Sequence, residues 1–300
     1  MLKIAGSPRA ALPHSEPPAV ALPGSVDPTV PPTVPPTELQ SELLSLAIAI
    51  AADAATILVE GLDRARTTVD TKTTGTDMVT EMDRAAERLI VDAILAARPS
   101  DAILGEEGTD RPGTTGVRWI VDPIDGTTNY LYAHAGFAVS IAAEVDGNIE
   151  IGVVHDPLHQ EVFTAVRGGG AQRNGIPISA SSETRLGHAL IATGFSYEPD
   201  RRRRQAAVLI EILPLVRDIR RMGAASVDLC SVACGRVDAY YERGLQPWDH
   251  AAGALIAREA GALVSSLKGE EPDFEFCLAA PAALAAQLRP LLREHGAGSA

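Results

Sequence analysis

The stretch Trp119-Ile120-Val121-Asp122-Pro123-Ile124-Asp125-Gly126-Thr127-Thr128-Asn129 decides the reading of this chain. Its first three residues form a short apolar run suited to a strand buried inside a layered sheet. Such a strand delivers Asp122 at its carboxyl end, where open α/β sheets bind ligands. Pro123 then stiffens the chain, and Asp125 returns beside Asp122 three residues later. Two carboxylates so close repel, and one resists ionisation unless a cation neutralises the pair. Gly126-Thr127 permits a tight turn whose backbone N–H groups open a helix, and a helix N-terminus attracts anions. Metal-holding carboxylates beside a phosphate-holding turn are the chemistry this segment predicts.

Three more acidic clusters accompany apolar runs in the same way. They are Asp77-Met78-Val79-Thr80-Glu81-Met82-Asp83, preceded by Lys72; Leu104-Gly105-Glu106-Glu107-Gly108; and Gln246-Pro247-Trp248-Asp249. Singly, each has a plain structural explanation. Asp249 suits the N-cap of the helix that follows, Glu106-Glu107 a solvated turn, and Asp77 and Asp83 exposed loop acids or, for Asp83, a cap. Oxygen donors without His or Cys select Mg²⁺ over zinc.

The whole composition bounds these readings. The chain has 300 residues, 46% hydrophobic and 22% charged, which excludes a wholly disordered, collagen-like or disulfide-stapled protein. Its 39 acidic and 26 basic residues give a net charge of −13, and such a surface repels phosphate backbones, so nucleic acid is not expected as a partner. Cys230, Cys234 and Cys277 form no CxxC pair, and the spacing of the first two in an apolar stretch is that of helix packing. The start has no apolar run of signal-peptide length, and Leu46 to Ala52 is stopped by Asp53. A soluble, cytoplasmic protein with no membrane partner is expected. No GxSxG, P-loop or GxGxxG pattern is present. His155 and His159 have zinc-ligand spacing, but Asp156-Pro157 between them forces a turn.

Residues 1–37 hold 10 of the 21 prolines and read as a flexible tail. Helices are expected from Glu38 to Arg64 with Thr37 as N-cap, from Asp83 to Ala97, Arg204 to Arg217, Val227 to Cys234, Ala251 to Ala260 and Ala282 to Glu294. Strands are expected at Ala102–Leu104, Trp119–Val121 and Ala138–Ile141, with a hairpin of Ile149–His155 and Glu161–Val166. The mixture predicts a layered α/β fold with halves at 38–182 and 183–295. Arg201 to Arg204 is a basic run opening a helix, read as a solvated face in preference to a substrate clamp.

The segments DMVTEMD, GEE, WIVDPIDGTTNY and WDHAAG, in this order and spacing, resemble the signatures of the inositol monophosphatase family across residues 38–293. Tyr130 stands where the family commonly has Phe, and Pro247 and His250 flank the Trp-Asp pair. The resemblance implies an αβαβα sandwich and a Mg²⁺-dependent phosphomonoesterase with two or three ions. It assigns the metals to Glu106, Asp122, Asp125, Asp249 and the Ile124 carbonyl, and the catalytic roles to Asp83, Thr127 and Glu106. Asp83 and Thr127 position and deprotonate an attacking, metal-activated water. Gly126 and Thr127 hold the phosphate, with Asp125, Ala225, Glu242 and Asp249 around the substrate.

It further implies lithium sensitivity and a homodimer. The expected reaction is in-line hydrolysis of myo-inositol monophosphate, a small phosphorylated polyol. Relatives resembling the chain act on histidinol phosphate, fructose 1,6-bisphosphate or 3′-phosphoadenosine 5′-phosphate. Other bacterial relatives bind the transcription machinery, so a regulatory binding protein on a phosphatase scaffold is the alternative of another class.

Overall fold

Thr37 starts the first helix through a reciprocal cap: its hydroxyl accepts the Gln40 N–H at 3.2 Å, and the Gln40 side chain accepts the Thr37 N–H at 2.8 Å. The computed structural model describes residues 34–62, 69–71, 78–269 and 271–299, with 69–71 and 78–80 through their backbone. Most of the Pro-rich segment, together with Arg64, Lys72 and Asp77, lies outside the described residues.

Helices α1 (Glu38–Gly61) and α2 (Glu81–Ala97) cover one face of an eight-stranded sheet. That sheet contains β3 (Ala102–Gly105), β4 (Asp110–Arg111), β5 (Val117–Asp125), β6 (Ala138–Val145), β7 (Asn148–Asp156), β8 (Glu161–Val166), β9 (Gly170–Arg173) and β10 (Ile176–Pro177). Its spatial order is β10-β9-β8-β7-β6-β5-β3-β4, with β3 and β5 parallel and β5 to β9 a meander. A separate hairpin pairs β1 (Val69–Thr71) with β2 (Met78–Thr80) just before α2.

A second, five-stranded sheet holds β11 (Leu190–Thr193), β12 (Asp218–Arg220), β13 (Ala239–Glu242), β14 (Leu263–Ser265) and β15 (Cys277–Ala280), in the order β12-β11-β13-β15-β14. Helices α5 (Ala225–Ala233) and α6 (Pro247–Glu259) fill the layer between the sheets: Leu229, Cys230, Ile256 and Ala252 share one core with Val154 of the first sheet and Tyr240 of the second. Helices α4 (Pro199–Ile212) and α7 (Ala282–Glu294) cover the far side through Val208, Ile212, Leu284 and Leu288. The result is the expected αβαβα sandwich.

Among the described residues one helix, α1, is long and apolar enough to cross a membrane. Its apolar stretch runs well past the seven residues of Leu46–Ala52, because Asp53 stands alone among small and aliphatic side chains. The face carrying Leu43, Ala47, Ile50, Ala51, Ala54 and Leu58 is buried in the core shared with α2 and the first sheet.

Several boundaries differ from expectation for local reasons. Helix α6 starts at Pro247 rather than Ala251, since proline suits the first helical turn. Helix α4 runs from Pro199 to Ile212 rather than from Arg204 to Arg217; Pro199 opens it, and a 3₁₀ turn carrying Pro214 ends it. His155 is the next-to-last residue of β7 and His159 lies in the following turn, its Nδ1 2.7 Å from Asp156 Oδ2, so no helical pair forms. Cys230 is buried on α5 and packs in the core.

One buried junction fixes the start of β5. Trp119 donates its indole N–H to Asp101 at 3.0 Å, Thr115 donates at 2.6 Å, and Arg98 pairs with the same carboxylate. Burial alone raises the carboxyl's pKa; the bonds from Arg98, Thr115 and Trp119 reverse that and hold it below its usual value.

Candidate active site

A strand's side chains alternate faces, so Asp122 and Asp125, three residues apart, belong on opposite sides of a regular β5. The pairing with β6 shifts register between these two residues, and the irregularity brings both to one cleft. Pro123, which cannot donate to a ladder, sits inside that interruption. The Ile124 N–H turns inward to Asp122 Oδ1 at 3.0 Å. Gly126 follows at φ 92°, a left-handed conformation that costs glycine little, and releases the chain into the short helix α3 (Thr127–Leu131). A Cβ at Gly126 would stand 2.8 Å from the Gly136 carbonyl, so the position excludes side chains twice over.

The cleft has a volume of about 410 Å³ and is lined by Glu106, Asp122, Asp125 and Asp249, with Ile124, Gly126 and Thr127 of the β5 turn. Ala225 and Glu242 also line it, so the sequence-derived residues meet in one place apart from Asp83. Asp83, buried on α2, stands behind: Thr127 Oγ1 lies 3.3 Å from its Oδ1 and 3.1 Å from the Ile124 carbonyl. With one proton, the hydroxyl donates to one of these oxygens at a time.

Asp249 is the third residue of α6, not its N-cap; Gln246 caps the helix, and Asp249 Oδ2 accepts the Gln246 N–H at 2.7 Å. Asp125 accepts the Ala225 and Ser226 amides at 3.2 and 2.6 Å, at the start of α5. Glu106 rides on a turn after β3, and that turn is held from α2. Glu87 accepts the Glu107 N–H at 2.7 Å and the Thr109 N–H and hydroxyl at 3.2 and 2.7 Å.

The electrostatics match this crowding. Burial, reinforced by Glu106, Asp125 and Asp249, pushes the Asp122 carboxyl well above its usual range. Burial and then Glu106 and Asp125 do the same to Asp249. Asp125 is raised to about 6 by burial, against the bonds from Ser226 and Ala225. Glu242 rises to about 7 through burial, opposed by the Tyr240 hydroxyl that donates to it at 2.7 Å and by Arg221.

Several cleft residues carry no signal that sequence patterning reads. They are the Phe195–Glu198 loop, Arg221, Arg243 and Phe274; Arg201, expected on a solvated face, lines the cleft instead. Glu87 and Asn129 act from behind. Asn129 donates to the Gly136 carbonyl at 2.6 Å and the Met222 carbonyl at 2.8 Å, tying α3 to the loop before α5.

The inositol monophosphatase family model matches residues 39–297. The chain belongs to the inositol monophosphatase family. It is 44% identical over 233 residues to the inositol-1-monophosphatase SuhB of Mycobacterium tuberculosis, covering 72% of this chain and 80% of that protein. It is 40% identical over 229 residues to the Nus factor SuhB of Escherichia coli, covering 75% and 85%. The crystal structure of the extragenic suppressor protein suhB from Bartonella henselae superposes with a TM-score of 0.81 at 36% identity, over 84% of this chain and 99% of that one.

Membership in the inositol monophosphatase family supports phosphatase activity, and the family is metal-dependent. Among the described residues no three Asp, Glu, His or Cys side chains already stand as a metal-holding group, though the Asp122 and Glu106 side chains already meet. The donor set fits a hard divalent cation. It is entirely oxygen, and the carboxyls of Asp122 and Asp249 are raised in part by one another's neighbours, a repulsion that a cation relieves.

Proposed function

We propose that the chain hydrolyses myo-inositol monophosphate to inositol and phosphate in a Mg²⁺-dependent reaction. The observation that carries this reading is the gathering of Glu106, Asp122, Asp125 and Asp249 in one cleft beside the Gly126-Thr127 turn. The name of the Mycobacterium tuberculosis relative, an inositol-1-monophosphatase, supports the substrate. Those four carboxylates and the Ile124 carbonyl hold the metal, two or three ions in all. When bound, Mg²⁺ lowers the pKa of water and neutralises phosphate and leaving-oxygen charge.

The chain's own residues do the rest. The amides of Gly126 and Thr127 receive the phosphate oxygens at the opening of α3, where the left-handed Gly126 leaves the approach clear. Thr127 Oγ1, within reach of Asp83, orients the attacking water and passes its proton toward that carboxylate. Water attacks phosphorus as the ester oxygen departs opposite, so one P–O bond forms while another breaks and no phosphoenzyme is needed. Ala225 and Glu242 meet the polyol hydroxyls, with Tyr240 fixing the Glu242 carboxyl. A homodimer in the cytoplasm, inhibited by lithium at a Mg²⁺ position, completes the proposal.

The second reading, a regulatory binding protein, is favoured by the Escherichia coli relative's name, Nus factor. A scaffold kept only for binding has no need of all four carboxylates, and all four are present. Phosphate release from inositol 1-phosphate, histidinol phosphate, fructose 1,6-bisphosphate and 3′-phosphoadenosine 5′-phosphate, with and without Mg²⁺, tests the choice. Mg²⁺-dependent preference for inositol 1-phosphate is expected. Preference for another compound moves the substrate, and release from none favours the binding reading.

A further inference from the structure

The basic run Arg201–Arg204 divides by direction. Arg202 donates to the Ser196 and Tyr197 carbonyls at 3.0 and 3.2 Å, Arg203 pairs with Asp200 at 2.7 Å, and Arg204 donates to the Ser299 carbonyl at 3.1 Å. Arg201 alone of the four lines the cleft. Its guanidinium carbon lies 5.5 Å from the centre of the Phe274 ring, and among the described residues no carboxylate pairs with it. The other two cleft arginines are engaged: Arg243 is paired with Glu275 at 2.5 Å, and Arg221 stands in the field of Glu242 and Asp228.

The wall makes room for this cation. Gly244, at φ 92°, lies beneath it, and a Cβ there would stand 2.7 Å from Arg201 Nη1. Stacking on an aromatic face holds a guanidinium plane while leaving its edge donors in their fork. Arg201, Gly244 and Phe274 all come from the second half of the chain, whereas the turn that receives the scissile phosphate ends β5 in the first. A polyol bearing only hydroxyls matches the scissile end of this cleft and leaves the Arg201 charge unanswered.

We infer that Arg201 is a specificity-determining residue that receives a second anionic group, phosphate or carboxylate, at the far end of a small phosphomonoester. This rests on the phosphatase reading above and goes beyond it: among sugar phosphates otherwise alike, those with a second anionic group at the far end are turned over faster, while inositol 1-phosphate stays the preferred substrate of the panel above. The fork–anion pair is charge-assisted and made at the cleft wall, so its loss is expected to lower kcat/KM about tenfold.

The test compares hexose phosphates that differ only at carbon 6: glucose 1-phosphate, glucuronic acid 1-phosphate and glucose 1,6-bisphosphate. Inositol 1-phosphate serves as the activity reference for the full chain with Mg²⁺. The expected result is a kcat/KM ratio of about ten or more for a charged over the uncharged hexose, falling toward one in Arg201→Gln and partly restored in Arg201→Lys. Arg203→Gln, on the outward face, keeps the wild-type ratio. Comparison of the carboxylate and bisphosphate arms identifies which anion is received. Turnover of inositol 1-phosphate with no preference for a charged hexose, or a preference that survives Arg201→Gln at unchanged melting temperature, overturns the inference alone. No release from any compound, inositol 1-phosphate included, overturns the phosphatase reading and the inference with it.

Discussion

Asp125 Oδ2 accepts the backbone N–H of Ser226 at 2.6 Å, joining residues 101 positions apart. The bond pins the start of α5 to the end of β5, so the two sides of the cleft are registered through a carboxylate that also faces the cleft. Asp125 therefore serves structure and chemistry together, and substitutions elsewhere separate the two more cleanly.

Thr127 and Asp83 offer one such separation. Thr127→Ala and Asp83→Asn are expected to lower kcat about a hundredfold or more with little change in KM, because the proton relay acts in the transition state. Thr127→Ser keeps the hydroxyl near Asp83 and is expected to retain most activity. Steady-state rates on inositol 1-phosphate decide it; a rise in KM at constant kcat contradicts the assigned role.

Glu87 is expected to act on the metal without touching it. Glu87→Ala removes the acceptor for three donors in the turn that carries Glu106. The Mg²⁺ concentration giving half-maximal rate is expected to rise about tenfold or more, as for other groups that orient ligands. An unchanged Mg²⁺ dependence separates Glu106 from the metal.

Asn129→Ala leaves the Gly136 and Met222 carbonyls without their shared donor. A loss of about 1–3 kcal/mol in unfolding free energy is expected, measured by urea titration. Near-neutral stability shows that the two loops hold together without this amide.

Asp101 supplies a pH prediction. Its folded-state pKa lies below the ordinary value, so its stabilisation is fully present above the unfolded carboxyl's pKa and is lost as pH falls through the folded one. Asp101→Asn is expected to cost about 2 kcal/mol at neutral pH, with the gap from wild type narrowing in acid below about pH 4. A gap that is constant with pH removes the charge from the explanation and leaves only shape.

The layered α/β class was legible because long periodic segments report themselves, whereas the αβαβα order of layers is what the family resemblance implies. Glu81–Ala97 and Ala282–Glu294 are strongly amphipathic, and the β7–β8 hairpin is marked by Asp156-Pro157. The five-stranded sheet was not read strand by strand. Its members are three or four residues long, and runs such as Leu190-Ile191-Ala192-Thr193 show no alternation because both faces are covered. At the cleft, carboxylates clustered in sequence could be quoted directly, whereas Arg201, Arg221 and Phe274 meet only through the fold. A basic run looks alike from any side; only the partners of Arg202, Arg203 and Arg204 show which arginine turns inward.

The central claim is that the crowded carboxylates of one cleft hold Mg²⁺ for phosphate ester hydrolysis. Phosphate release from inositol 1-phosphate by the wild type and by Asp122→Asn, across a Mg²⁺ titration, tests it most directly. The account predicts no release without Mg²⁺, saturating release with it, and a loss of more than about a hundredfold in Asp122→Asn at unchanged melting temperature. Mg²⁺-independent release, or near-normal turnover by Asp122→Asn, would contradict it.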